Sequence, residues 1–188
     1  MTVLYTGLRR GEVLGLRWRH VFLADPKGAR LEVRETVVYG RAETPKSERS
    51  ERTIALGPRL ADEMFQRRGR MAFASDEERV FCSPQTGGVL DVVRYAKTLR
   101  AALTKAKVEK PLRPFHDGRH TSITNAAAAG TPPAALQARA GHSAFSTTQI
   151  YIDLAGETFR EEAERLERRL LGTRIGAVGR GSSRGRPR

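Results

Sequence analysis

The sequence predicts an α+β fold, mainly helical, with a small antiparallel β-sheet. Three observations carry this. Apolar residues recur at helical spacing in the second half, most clearly Val92, Tyr95, Leu99, Ala102, Leu103 and Ala106. Two stretches rich in β-branched residues, 30–39 (RLEVRETVVY) and 50–56 (SERTIAL), are separated by a polar connection, as the strands of a hairpin would be. The 188 residues suffice for one sizeable core and are too few for two ordinary domains with linkers.

Taken in order, MTVLYTGLRR reads as the end of a helix broken at Gly7, with a second helix over about residues 10–18, so the chain begins mid-helix. The two β-type stretches follow as a hairpin or the start of a small sheet, with Lys46 near the turn. After Gly57 and Pro58 a helix runs to about Phe73, with Leu60 and Met64 on one face, and VFCSP (80–84) supplies a third strand before the QTGG turn. A helix spans 91–108. Pro111 and Pro114 delimit a connection, and His116 to Ala129 forms a helix stopped by Gly130. Thr131 reads as an N-cap with Pro132 in the first turn of a short helix ending at Gly141. Ser146 and Gln149 have capping-box spacing and open a helical turn carrying Tyr151. Thr158 and Glu161 repeat that pattern, and Phe159, Ala163, Leu166 and Leu170 then form an apolar stripe that must bury against something. Residues 172–188 hold five Arg, no acid and repeated Gly and Ser, the composition of a disordered cationic tail. The ordered domain is therefore placed at 1–171.

A net charge of +13, from 34 Lys and Arg against 21 Asp and Glu, favours a polyanionic partner, for which nucleic acid is the default. Arg-rich composition also arises from genome-wide bias, so charge alone does not decide. Cys82 is the only cysteine, which excludes an intrachain disulfide and a cysteine-based metal cluster and fits a reducing cytoplasm. No stretch approaches the roughly 20 apolar residues of a membrane span, and the N-terminus carries no export signal.

The chemistry is suggested by the order Arg9, Lys46, His116, Arg119, His142, Tyr151. A nucleophilic hydroxyl supplied with cationic and proton-donating groups suits in-line attack on a phosphodiester, where negative charge accumulates on the non-bridging oxygens. Arg9 and Arg119 offer planar forks that grip two phosphate oxygens and stay charged. Arg10, Arg17 and Arg19 read as solvated surface charges, and Tyr5, Tyr39 and Tyr95 as packing residues. Glu12, three residues past Arg9, lies on the same helical face if the segment is helical, and on local grounds reads as an N-terminal acid that complements the helix dipole. His116 and His120 have the i, i+4 spacing of a zinc hydrolase helix, with His20, His142 or a distant carboxylate as third ligand. That reading fails on the base: the second position is Asp117 rather than Glu, and Gly118 weakens the helix.

The strings TGLRRGEVLGLRW (6–18), TPKSERSERTIAL (44–56), FHDGRHTSIT (115–124) and AGHSAFSTTQIYIDL (140–154) together resemble the catalytic domain of the tyrosine recombinases, the phage integrase family. The resemblance covers about residues 1–155. It implies that Tyr151 is the nucleophile, that Arg9 and Arg119 bind the scissile phosphate, and that Lys46 is the general acid for the leaving 5′ oxygen. It gives His116 the role of proton acceptor or phosphate-side donor, His142 a hydrogen bond to a non-bridging oxygen, Glu12 support of an arginine, and His120 a packing role. It further implies site-specific DNA recombination or integration through a 3′-phosphotyrosyl link, with no cofactor and no metal. The implied partners are double-stranded DNA, further copies of the chain in a tetrameric synapse and accessory DNA-bending factors, in a bacterial cytoplasm at the chromosome. By the same resemblance the domain's first helix and the core-binding domain before it are missing, so the competing expectation is a truncated, catalytically defective DNA-binding remnant. Gly118 stands where the family has leucine, and Ala140 where it has a larger apolar residue. Both departures are expected to thin the packing beneath the site.

Overall fold

The computed structural model describes residues 1–38, 40–43, 51–109, 111–155 and 167–168. The chain divides into a unit at Met1–Gly156 and a second at Glu157–Arg188. In the second, Glu167 and Arg168 are helical and exposed. Lys46, Tyr39, the stripe Phe159, Ala163, Leu166 and Leu170, and the basic tail lie outside the described residues, as does the expected boundary at residue 171.

The first unit is mainly helical with a small antiparallel sheet. Helix α1 (Thr2–Thr6) ends at Gly7, and α2 (Arg10–Gly15) follows. The second helix stops three residues earlier than its sequence suggests, because the backbone at 16–18 is engaged elsewhere. Val80 N–H donates to the Leu16 carbonyl (2.9 Å) and Trp18 N–H to the Glu78 carbonyl (3.0 Å). A single 3-10 turn, Trp18–His20, then leads into the sheet.

That sheet has the order β1-β2-β5, from Val21–Phe22, Arg30–Val33 and Arg52–Ala55, antiparallel throughout. Leu31 is paired with Ile54, and both are buried with Val33, so one face turns inward at the two-residue period of a strand. The stretch expected as one strand at 30–39 is split. Its second half, β3 (Thr36–Val38), pairs with β4 (Arg41–Glu43) in a separate ribbon lying against α2. Gly15 permits that approach, since a Cβ there would stand 2.6 Å from the Glu35 carbonyl oxygen. The expected third strand at 80–84 is not part of the sheet; Val21–Phe22 takes that place. Val80 is spent on Leu16, Cys82 makes only an isolated bridge to Val89, and Pro84 has no N–H to extend a ladder.

Helix α3 (Pro58–Arg70) buries Leu60 and Met64 against the sheet's core, as their spacing predicts. Helix α4 (Val92–Lys105) is capped by Asp91, whose Oδ1 accepts from the N–H groups of Val93 (2.9 Å) and Arg94 (3.1 Å). Its apolar stripe is real, yet none of its residues is fully buried. Tyr95 and Leu99 instead line an open cavity of about 860 Å³ with Val3, Met64, Phe81 and Phe115.

Helices α5 (Pro114–Ala128), α6 (Pro133–Ala140) and α7 (Phe145–Ala155) share a second core of Ile123, Ala127, Leu136, Ala140 and Tyr151. Two expected caps are corrected. Thr131 is not the N-cap of α6: its N–H is held by the Ala126 carbonyl at 3.1 Å, and Pro132 precedes the first helical residue. Ser146 lies inside α7, and Gln149 reaches forward to Asp153 (2.8 Å) rather than back to a cap. The packing is not thinned at Gly118, because α1 fills the space: a Cβ there would lie 3.2 Å from Val3 Cγ1. Ala140 is likewise fully buried. No helix among the described residues is long and apolar enough to cross a membrane.

Candidate active site

The site is organised around the C-terminus of α6. The last carbonyls of a helix have no partner within it and form the negative end of its dipole, so they attract cationic donors. Here three successive carbonyls each receive a guanidinium. Arg52 Nε donates to the Arg139 carbonyl (2.8 Å), Arg119 Nη2 to that of Ala140 (2.8 Å) and Arg9 Nη2 to that of Gly141 (2.6 Å). The helix can end this tightly because residue 141 is glycine. Its φ of +64° is left-handed, and a Cβ would stand 3.0 Å from Arg52 Nη1 and 3.3 Å from Arg9 Nη1.

Glu12 joins two of the three. Its Oε1 accepts from Arg9 Nη1 (3.1 Å) and Arg52 Nη1 (2.9 Å), and its Oε2 from the Arg9 backbone N–H (2.7 Å) and Arg52 Nη2 (2.8 Å). Burial raises the Glu12 carboxyl, but hydrogen bonds and charge from Arg52, with those of Arg9, outweigh it and hold the group below its ordinary value. Glu12 is therefore ionised at neutral pH. Arg119 also donates to the Gly7 carbonyl, which ties α5 to the turn before Arg9. Burial, then the charge of Arg9, brings Arg119 down to about 10, so it remains a cation in neutral solution.

His142 comes directly after the glycine. Burial and then the charges of Arg119, Arg9 and Arg52 push it down to about 4, so its imidazole is neutral at pH 7. Nδ1 lies 3.0 Å from the buried Thr148 hydroxyl. When that hydroxyl donates, Nε2 carries the proton and is available as a donor. The Tyr151 ring stacks on His142 at 5.7 Å with 20° between planes, and its other neighbour is His120 at 5.2 Å. His120, whose imidazole is lowered by burial and then by His116, stands 4.4 Å from the exposed ring of His116. Asp117 is engaged with Arg113, accepting from its backbone N–H at 2.7 Å, and among the described residues no three metal-ligating side chains converge.

Of the residues singled out in the sequence, Arg9 contacts Glu12, Arg9 and Arg119 reach the adjacent carbonyls of Gly141 and Ala140 just before His142, Tyr151 stacks on His142, and His116 is linked to Tyr151 through His120. Lys46 falls outside the described residues. Arg17 and Arg19 are not simply solvated: both bind Glu35, at 2.9 and 2.8 Å, and Arg19 also binds Glu77. Arg52 stands outside the residues singled out in the sequence. Its signal was available, because it shares strand parity with Ile54 and Leu56 and so stands on the inward face, where a guanidinium needs a partner.

The chain belongs to the phage integrase family, whose model matches residues 1–157. It is 29% identical over 173 residues to a XerC-like tyrosine recombinase of Caldanaerobacter subterraneus subsp. tengcongensis, covering 78% of this chain and 42% of that protein. It is 29% identical over 156 residues to the tyrosine recombinase XerD of Lacticaseibacillus casei, covering 81% of this chain and 48% of that one. The chain therefore spans less than half the length of these two relatives. Its fold is that of the Tn1549 transposon integrase, whose structure is known in complex with circular intermediate DNA: the TM-score is 0.68 at 23% identity, over 89% of this chain and 57% of the other.

Proposed function

We propose that this chain is the DNA-cleaving and rejoining part of a tyrosine recombinase. Tyr151 Oη attacks the scissile phosphate and loses its proton. The bond to the 5′ oxygen breaks as a 3′-phosphotyrosyl link forms, and Lys46 delivers a proton to the departing oxygen. His116 serves as proton acceptor or as a donor on the phosphate side. Attack by a 5′ hydroxyl from a partner strand reverses the step, and the bond conserved in the protein–DNA link makes an external energy source unnecessary. Arg9 and Arg119 grip the non-bridging oxygens, where the transition state gathers charge, and neutral His142 adds a donor. The partner is double-stranded DNA, and strand exchange requires further copies of the chain; accessory DNA-bending factors belong to the same reading.

One observation carries the proposal. Arg9 and Arg119, from segments distant in sequence, sit on adjacent carbonyls beside His142, on whose ring Tyr151 stacks. The test is a nicked duplex that loses a short fragment bearing the 5′ hydroxyl and so traps the covalent intermediate. The unmodified chain is expected to form an adduct stable to denaturant, and Tyr151→Phe to bind DNA and form none. An adduct in that variant would contradict the assignment.

A further inference from the structure

We propose that Arg52 is a positioning residue for cleavage, a role that rests on the reading above: it sets Arg9 and His142 in place without touching the phosphate. The first ground is the use of its donors. Nε, Nη1 and Nη2 go to the Arg139 carbonyl, Glu12 Oε1 and Glu12 Oε2, so every nitrogen of the fork faces protein. The second is exposure. The Arg52 side chain is 7% exposed and that of Arg9 43%, which places Arg9 at the surface a ligand can reach and Arg52 behind it.

The consequence is a division of Glu12 between two cations. While Arg52 occupies both carboxylate oxygens, the carboxylate orients Arg9 without neutralising it alone. With Arg52 removed, Glu12 is left to Arg9, and its carboxylate holds the Arg9 fork away from the geometry that the phosphate oxygens require. The same loss frees the Arg139 carbonyl, one of the three that fix the end of α6 from which His142 projects. A planar fork satisfies a carboxylate and a carbonyl at once in a way that a lysine ammonium matches only in part. Arg52 also opens β5, six residues beyond Lys46 in sequence, so the strand that follows the candidate general acid is tied to the two elements that carry Arg9 and His142.

The experiment compares the full chain with Arg52→Gln, Arg52→Lys and the double variant Glu12→Gln/Arg52→Gln. Three quantities are read: thermal midpoint, affinity for the nicked duplex, and the single-turnover rate of adduct formation at saturating DNA. Arg52→Gln is expected to slow adduct formation roughly 100-fold, the scale of a misplacement near 1 Å, with affinity little changed. Arg52→Lys recovers part of the rate. The double variant buries no unpaired charge, so its midpoint recovers while its rate stays at the Arg52→Gln level. A rate that recovers together with the midpoint would overturn the proposal and leave Arg52 a purely structural residue. Lost affinity with an unchanged saturating rate would also overturn it, by making Arg52 a phosphate contact. An unmodified chain that binds the duplex and forms no adduct would overturn the cleavage reading, and this inference with it.

Discussion

His142 is neutral at physiological pH because it is partly buried beside three guanidiniums, and that has a measurable cost. In the unfolded chain it takes a proton at its ordinary value of 6.5, and in the folded chain only near 4. As pH falls through this window the unfolded state binds the proton first, so stability is intact above about 6.5 and declines towards 4. His20 and His120 are lowered in the same direction by burial and share the slope. His142→Asn is therefore expected to lose less stability between pH 7 and pH 4.5 than the unmodified chain, in urea midpoints taken at both. An equal loss would show that His142 titrates normally. At this scale most of the site was legible, because Arg9, Arg119, His142 and Tyr151 carry unusual chemistry within recognisable strings. Arg52 was passed over because its partner Glu12 lies 40 residues away, and only the inward parity of its strand position pointed to it.

Elements were legible where local spacing governs them and not where distant backbone competes. Helix α3 and its buried pair Leu60 and Met64 follow from periodicity alone. Residues 16–18 leave the helix and Val80 stays out of the sheet because Leu16 and Trp18 spend backbone groups on Val80 and Glu78, a pairing between distant segments that no local pattern reveals. Gly118 is the clearest case of meaning supplied by a neighbour: it looked like a loosened helix and is the contact surface for α1. Restoring the family's leucine should therefore harm this chain. Gly118→Leu drives a side chain into Val3 and is expected to lower stability by about 1–3 kcal/mol despite the gain in helix propensity. Chemical denaturation of the variant checks this, and a stabilised Gly118→Leu would mean that α1 does not pack as described.

For the whole molecule, the excess of positive charge acts on association rather than on the fold. Each phosphate neutralised contributes about −0.9 to the slope of log affinity against log salt, so a chain of net charge +13 should bind DNA with a steep dependence. Deleting residues 172–188 removes five arginines and should flatten that slope; an unchanged slope would show that the tail does not meet DNA. The overall architecture was legible as helices with a small antiparallel sheet, whereas the sheet's membership was not, since β3 lies along α2 rather than beside β2. Two arginines and a histidine gathered around one tyrosine are expected to direct cleavage through that tyrosine. The most direct test is to digest the trapped protein–DNA adduct and find, by mass spectrometry, which residue carries the nucleotide and through which end. Tyr151 linked to a 3′ phosphate is the expected result. A linkage at Tyr5 or Tyr95, or through a 5′ phosphate, would contradict it.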